Sequence, residues 1–252
     1  MIIFCDVDGT LWRHSDTDFS ELTQNIAAIQ KWRDAGNLFA IASGRSLASL
    51  KRLLPNFADF TDFFVSDNGG YVYNRSLQPI IRNTLANSQI QAIIKSINAA
   101  LPANSFALSY YTDTEELQNA PNEVGKIRIW FKSPDYIQPA SDALNAALPN
   151  QLKIHAERHA IKSSLAWVDD SFNAFINVVS VDAGKELAIQ SLLKHEGIAE
   201  SDTFSIGDDT NDLEMLRCHH GHIMADANPI LFPEFPPELR HETVAAFIKS
   251  LM

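Results

Sequence analysis

Two aspartates, Asp6 and Asp8, follow directly on four apolar residues, Ile2 to Cys5, and the chain turns at once on Gly9. A short continuous apolar run closed by a turn residue reads as a buried strand. In an extended chain, residues two apart project to the same side. Asp6 and Asp8 would therefore bring two like charges into one small volume, and burying charge without a partner is expensive. Asp-Gly is also what a strand uses when it simply ends in a turn. The stretch by itself admits both a chemical and a structural reading.

Two later clusters have the same form. Ser43-Gly44-Arg45 follows the apolar run Leu38 to Ala42, and Gly207-Asp208-Asp209-Thr210-Asn211-Asp212 follows Thr203 to Ile206. Lys185 opens the helical stretch just before that last run. In an open parallel sheet, ligands bind beyond the carboxyl ends of the strands, which is where all three clusters would lie. Each has an ordinary explanation alone: Ser43 as a helix N-cap, Lys185 as a solvated charge, GDDTND as a turn. An EF-hand calcium loop is excluded, because its glycine and closing glutamate are missing from the required spacing. Taken together, Asp6, Asp8, Asp208, Asp209 and Asp212 would gather at one edge of the sheet. A hard divalent cation relieves such a concentration of carboxylates, and all-oxygen ligation suits Mg²⁺.

The elements needed to position these clusters are legible as periodicities. Ser20 to Ala35 has Leu22, Ile26, Ile29 and Arg33 at helical spacing, ending at Gly36. A second helix runs through Leu47, Leu50 and Leu54 to Pro55, and Phe63 to Val65 is a third strand before Ser66-Asp67-Asn68-Gly69-Gly70. Strands alternating with helices imply a parallel sheet covered on both faces. The pattern then changes. Tyr71 to Ile81 reads as short strands, Ile90 to Leu101 and Ile137 to Leu148 as helices. Phe106 to Tyr111, Lys126 to Phe131, Leu152 to Ala156, Leu165 to Val168 and Phe175 to Val179 read as strands. From Asp182 the first style resumes. The expected architecture is an α/β core, residues 1–75 plus 180–252, interrupted by an α+β domain at 76–179. The proline-rich NPILFPEFPPE reads as a tether for the final helix.

Here the motifs become specific. The order Asp6-Val7-Asp8-Gly9-Thr10, a strand ending in Ser43, Lys185 and then GDDTND resembles the four motifs of the haloacid dehalogenase superfamily. An insert between the serine and lysine motifs is similar to the Cof-type branch, subfamily IIB, with its α/β cap on a Rossmann-like core. Supporting segments are Ser43-Gly44-Arg45, Asn68-Gly69-Gly70 and Asp182 to Ala188. One departure is Met224-Ala225-Asp226-Ala227, where the family often has Met-Gly-Asn-Ala.

The resemblance implies roles. Asp6 is the nucleophile, and Asp8 the general acid and then the base. Ser43, Gly44, Lys185 and Asn211 bind phosphate. Asp6, the carbonyl of Asp8, and Asp208 hold Mg²⁺, with Asp212 as a further ligand or its supporting partner. Arg45 and Asn68, on core loops beside the cleft, are the candidates for substrate contact. In the insert, Arg128, Lys132, His155, Arg158 and Lys162 are polar candidates that also read as surface charges. The implied activity is a Mg²⁺-dependent phosphatase acting on a small phosphorylated metabolite such as a sugar phosphate. The alternatives are a phosphomutase of the phosphomannomutase type and a non-catalytic phosphate-ligand-binding protein.

Bulk properties narrow the partners. The chain of 252 residues has a formal net charge of −11, which argues against a general nucleic-acid or acidic-membrane binder. Its two cysteines give neither a disulfide framework nor a metal spacing. His219, His220 and His222 have no carboxylate placed to complete a site and read as surface residues. No apolar stretch is long enough to span a bilayer and no signal-peptide pattern opens the chain, so a cytoplasmic setting is expected.

Overall fold

The structure is a computed structural model that describes residues 1–157 and 168–252, without the side chain of Glu157. Arg158, Lys162 and most of the strand expected at Leu165 to Val168 lie outside the described residues.

The first half of the core comprises β1 (Ile2–Cys5), α1 (Ser20–Asp34), β2 (Leu38–Ala42), α2 (Leu47–Leu53), α3 (Phe57–Phe60), β3 (Phe63–Ser66), β4 (Tyr71–Asn74) and β5 (Pro79–Arg82). The inserted part comprises β6 (Leu85–Ala86), α4 (Asn87–Ala100), β7 (Phe106–Tyr111), β8 (Glu116–Leu117), β9 (Glu123–Val124), β10 (Lys126–Phe131), α5 (Ile137–Ala147), β11 (Leu152–Glu157) and β12 (Ala174–Ser180). The chain then returns through α6 (Lys185–Glu196), β13 (Thr203–Gly207), α7 (Leu213–Cys218), β14 (Gly221–Met224), β15 (Arg240–His241) and α8 (Val244–Leu251).

The core sheet has the order β15-β14-β13-β1-β2-β3-β4-β5. It is parallel from β15 to β3, and its last two strands pair antiparallel. β1 sits at the centre with all four residues buried, which is why a continuous apolar run rather than an alternating one encodes it. In α1 the buried face is Leu22, Asn25, Ile29 and Trp32. Arg33, placed on that face by periodicity, instead pairs with Asp62 at 2.8 Å. Buried Asn25 donates to the Leu11 carbonyl and accepts from Ala245 N–H, tying the loop after β1 to α8.

The chain leaves this sheet after Arg82 and not at residue 75, because the β4–β5 hairpin hydrogen-bonds onto β3 and extends the core. The second sheet is antiparallel, in the order β11-β12-β10-β7-β8. Strict alternation in β10 divides its faces. Ile127, Ile129 and Phe131 join Ile90, Ile93, Ile97 and Leu144 of α4 and α5 in a separate apolar core. Lys126, Arg128 and Trp130 occupy the other face, together with Tyr111, Phe175, Asn177 and His155, and all of these line one cavity.

Candidate active site

Asp6 stands immediately beyond β1 and is 5% exposed. Its N–H donates to the Ile206 carbonyl of β13 at 3.0 Å. The chain then curls back, with Leu11 N–H on the Asp6 carbonyl and Trp12 N–H on the Val7 carbonyl. Gly9 makes the curl possible. Its φ is +84°, and a Cβ there would collide with the Asp208 carboxylate, so only glycine lets the two aspartate-bearing loops touch. Buried Thr10 then donates its hydroxyl to Asp208 Oδ1 at 2.9 Å. Thr10 closes the DVDGT motif, but its position alone does not mark it as the partner of Asp208.

Lys185, in the first turn of α6, is 4% exposed and donates to Asp6 Oδ1 at 2.6 Å and to Asp212 Oδ1 at 2.5 Å. Asp212 uses its other oxygen to accept from the N–H groups of Asp208 and Asp209, each at 3.2 Å. It thus fixes both the lysine and the aspartate loop. Gly69 brings the Asn68 turn against the start of α6: its φ is +93°, and a Cβ there would strike the Gly184 backbone.

Burial works against the Lys185 charge, but Asp212 and Asp6 override it and raise the ammonium above its ordinary range. Burial pushes Asp6 well up against the pull of Lys185, and Asp212, Asp8 and Asp208 add to the rise. Asp208 is pushed up to about 7, by burial first and then by Asp212, although the Thr10 hydroxyl opposes this. Asp6, Asp208 and Asp212 each offer an oxygen within 4.8 Å of the others. A crowded, charge-strained set of purely oxygen donors fits Mg²⁺.

The other expected site residues converge on the same place with partners of their own. The Asp8 carboxylate is 41% exposed and receives a bidentate pair from Arg45, 2.6 Å from Nη2 and 2.7 Å from Nε. Arg45, expected at the substrate, therefore orients Asp8 first. Ser43 is buried and its hydroxyl accepts from Arg45 N–H; the cap of α2 is Ser46. Asn68, at φ +56°, donates its N–H to the Ser43 carbonyl at 3.2 Å. Asn211 is exposed at the rim. Asp209, the fifth aspartate, turns to Thr210 N–H and the Asn228 amide. Asp6, Asp8, Ser43, Gly44, Arg45, Asn68, Asp208 and Asn211 all line one cavity of about 410 Å³.

The opposite wall comes from the inserted sheet. Arg128 and His155 line the cavity, while Lys132 lies over the Phe172 ring instead. Nothing in its sequence context marks Lys126 as a contact to the core. It is 1% exposed and crosses from β10 to the core, donating to the Gly44 carbonyl at 2.7 Å and pairing with buried Asp67 at 2.8 Å. Glu116 makes a second crossing, accepting from the Ser46 hydroxyl at 2.6 Å and pairing with Arg52. The alternation in KIRIWF puts Lys126 and Arg128 on one face, but it does not say that this face meets the core.

Among the histidines, His219 is fully buried rather than at the surface and bonds Thr203; His222 bonds His241 at 2.8 Å.

Residues 3–234 match a family described as haloacid dehalogenase-like hydrolase. Among curated proteins, the chain is 23% identical over 273 residues to an HMP-PP phosphatase of Klebsiella pneumoniae, covering 96% of this chain and 92% of that one. A haloacid dehalogenase-like hydrolase from Bacteroides thetaiotaomicron superposes with a TM-score of 0.77 at 19% identity, over 100% of this chain and 99% of the other. A subclass IIB sugar phosphatase superposes with a TM-score of 0.69 at 16% identity, over 99% and 97% of the two chains.

Proposed function

The chain belongs to the haloacid dehalogenase-like hydrolases, as a phosphatase with the Cof-type cap, and we propose that it is a Mg²⁺-dependent phosphomonoesterase working through an aspartyl-phosphate. Its substrate is a small phosphorylated metabolite of the sugar-phosphate kind, the class on which the structurally similar subclass IIB sugar phosphatase acts. The observation that carries this reading is a buried carboxylate, Asp6, held by Lys185 at 2.6 Å at the end of a cavity it shares with Asp8 and Asp208.

Asp6 attacks phosphorus and forms an acyl-phosphate as the ester oxygen departs. Asp8, aligned by the Arg45 fork, gives that oxygen its proton and then takes one from the water that cleaves the acyl-phosphate. Lys185, the Ser43 hydroxyl and the Gly44 N–H receive the equatorial phosphoryl oxygens, and Asn211 closes the rim. Asp6, the Asp8 carbonyl and Asp208 would hold Mg²⁺. Asp212, whose oxygens are both engaged, fits the supporting role better than that of a ligand. When bound, the cation supplies the charge that lets a carboxylate approach a phosphate dianion.

The test uses two isosteres and p-nitrophenyl phosphate, whose leaving group needs no proton. Asp6→Asn should show no turnover. Asp8→Asn should release about one nitrophenolate per enzyme in a burst and then stall, with the acyl-phosphate trapped. With an alkyl phosphate it should lose ~10²–10⁴-fold, the usual worth of acid–base help. Steady turnover by Asp6→Asn would remove the covalent mechanism.

A further inference from the structure

The cavity charges can be accounted for one by one. Arg45 is paired with Asp8, Arg52 with Glu116, and Lys126 with Asp67. Among the described residues, Arg128 is the cavity arginine that forms no ion pair, and its two Nη groups have no hydrogen-bond acceptor.

Arg128 is nevertheless held in place. Its Nε donates to Asn177 Oδ1 at 2.8 Å, from the residue directly opposite on β12. Its guanidinium carbon lies 4.1 Å from the Phe175 ring centre, 5.0 Å from Trp130 and 5.7 Å from Tyr111. A planar cation stacked on a ring and fixed at Nε keeps its Nη fork in one orientation, which is the arrangement that matches a carboxylate or phosphate edge. On the next strand, His155 sits opposite Asn177 in register. Its Nε2 is buried with no partner among the described residues. A buried ring nitrogen without a partner wants one. Burial, with Lys153 and Lys185 nearby, lowers the His155 pKa and favours the neutral ring.

This wall does not suit a flat apolar leaving group, because the guanidinium already lies against Phe175. A lone hydroxyl would meet one N–H and leave the charge unbalanced. An oxyanion meets both.

We infer that Arg128, steadied by Asn177 and Phe175 and flanked by His155, receives a second anionic group, a carboxylate or a further phosphate, on the leaving-group side of the substrate. This rests on the phosphatase reading above. The substrate class is then a phosphate ester that is also an acid, and the enzyme's product keeps that acid.

The experiment uses matched probes with Mg²⁺. 3-Phosphoglycerate is compared with glycerol 3-phosphate, and 6-phosphogluconate with sorbitol 6-phosphate; each acid differs from its partner by a carboxylate in place of CH₂OH. Glucose 1,6-bisphosphate against glucose 6-phosphate forms the phosphate arm. At least one acid should exceed its partner in kcat/KM by ~10–100-fold, as expected for a charge-assisted bidentate contact. The arm in which this occurs identifies the oxyanion. Arg128→Met should bring that ratio to about one, mainly through KM, and Arg128→Lys should restore only part of it because it has charge without a fork. Calorimetric binding of the same pairs to Asp6→Asn, with and without Arg128→Met, reads the contact without turnover. If no ester is hydrolysed by the intact enzyme while the calorimetric preference persists, the phosphatase reading falls and the anion site stands. If no acid is preferred in any arm, or the preference survives Arg128→Met, the inference is overturned.

Discussion

A buried ion pair, Lys126 with Asp67, ties the inserted sheet to the turn after β3, and breaking it should be costly. Lys126 and Asp67 have side chains 1% and 0% exposed, 2.8 Å apart. Burial lowers the Lys126 pKa and Asp67 opposes it; burial raises the Asp67 pKa and Lys126 opposes it. Lys126→Met keeps most of the volume but removes the charge. The Gly44 carbonyl loses its donor, and the Asp67 carboxylate keeps the Ser66 hydroxyl at 3.1 Å. Removing one member of a buried pair costs about 3–5 kcal/mol. With an unfolding entropy of about 2.1 cal/mol/K per residue, a 252-residue chain should melt about 6–9 °C lower.

The double variant Lys126→Met with Asp67→Asn removes both charges. Asparagine also tolerates the φ of +52° at position 67. The pair should therefore recover about 2–3 kcal/mol relative to the sum of the single variants, because one unsatisfied carbonyl is all that remains. Urea midpoints and calorimetric Tm values measure the cycle. Since Lys126 also grips the Gly44 carbonyl, the single variant should raise KM for any phosphate ester. A loss below about 1 kcal/mol, or strict additivity across the cycle, would show that Lys126 is a bystander and that other contacts hold the cap to the core.

Three further outcomes are expected. Exhaustive chelation should abolish turnover. Mg²⁺ at a hundredfold its Kd should raise stability by about 2.7 kcal/mol, read as a Tm rise of about 5 °C that Asp208→Asn eliminates; an unchanged rise in that variant would place the metal elsewhere. Acid should destabilise the fold through the β13–β14 histidines. Burial, helped by His220, lowers His219 from 6.5 to about 4, and His222 falls to about 4 through burial and its neighbour His241. The unfolded chain then binds protons that the folded one refuses. Stability is complete above pH 6.5 and is lost as pH falls toward 4, by about 3 kcal/mol for His219. A His219→Phe variant with the same loss of urea midpoint between pH 7.5 and 4.5 would contradict this.

What the sequence made legible, and what it did not, divides along a physical line. Central parallel strands are buried on both faces, so β1, β2 and β13 appear as unbroken apolar runs, and the polar clusters after them fall at the carboxyl edge by topology alone. The positions of Asp6, Asp8, Ser43 and Asp208 were therefore readable. Partner choice was not. Nothing in a linear pattern says that Arg45 spends its fork on Asp8, that Lys126 reaches Asp67, or that Asp212 is occupied by Lys185 and two loop amides. The misplaced start of the insert has the same origin. The β4–β5 hairpin changes the local pattern from mixed to all-strand, but backbone pairing to β3 keeps it in the core sheet.

The pairing pattern also explains how a chain of net charge −11 can accept a phosphate dianion. The long-range field repels it, and that repulsion is screened within about 8–10 Å at ordinary ionic strength. Attraction has to be local. Yet Lys185, Arg45 and Lys126 are each tied to carboxylates, so they supply direction more than net charge. These ties hold the cations in fixed geometry before the ligand arrives, which favours charge that develops in a transition state over charge already present in the ground state. On the function proposed above, the positive charge still missing at the phosphoryl end would come from a metal held by the Asp6 and Asp208 oxygens. At the far end the imbalance is reversed, with Arg128 the cation lacking an anion among the described residues. A ligand with a phosphate at one end and an acid at the other, taken up with one divalent cation, would balance both ends of the cavity at once.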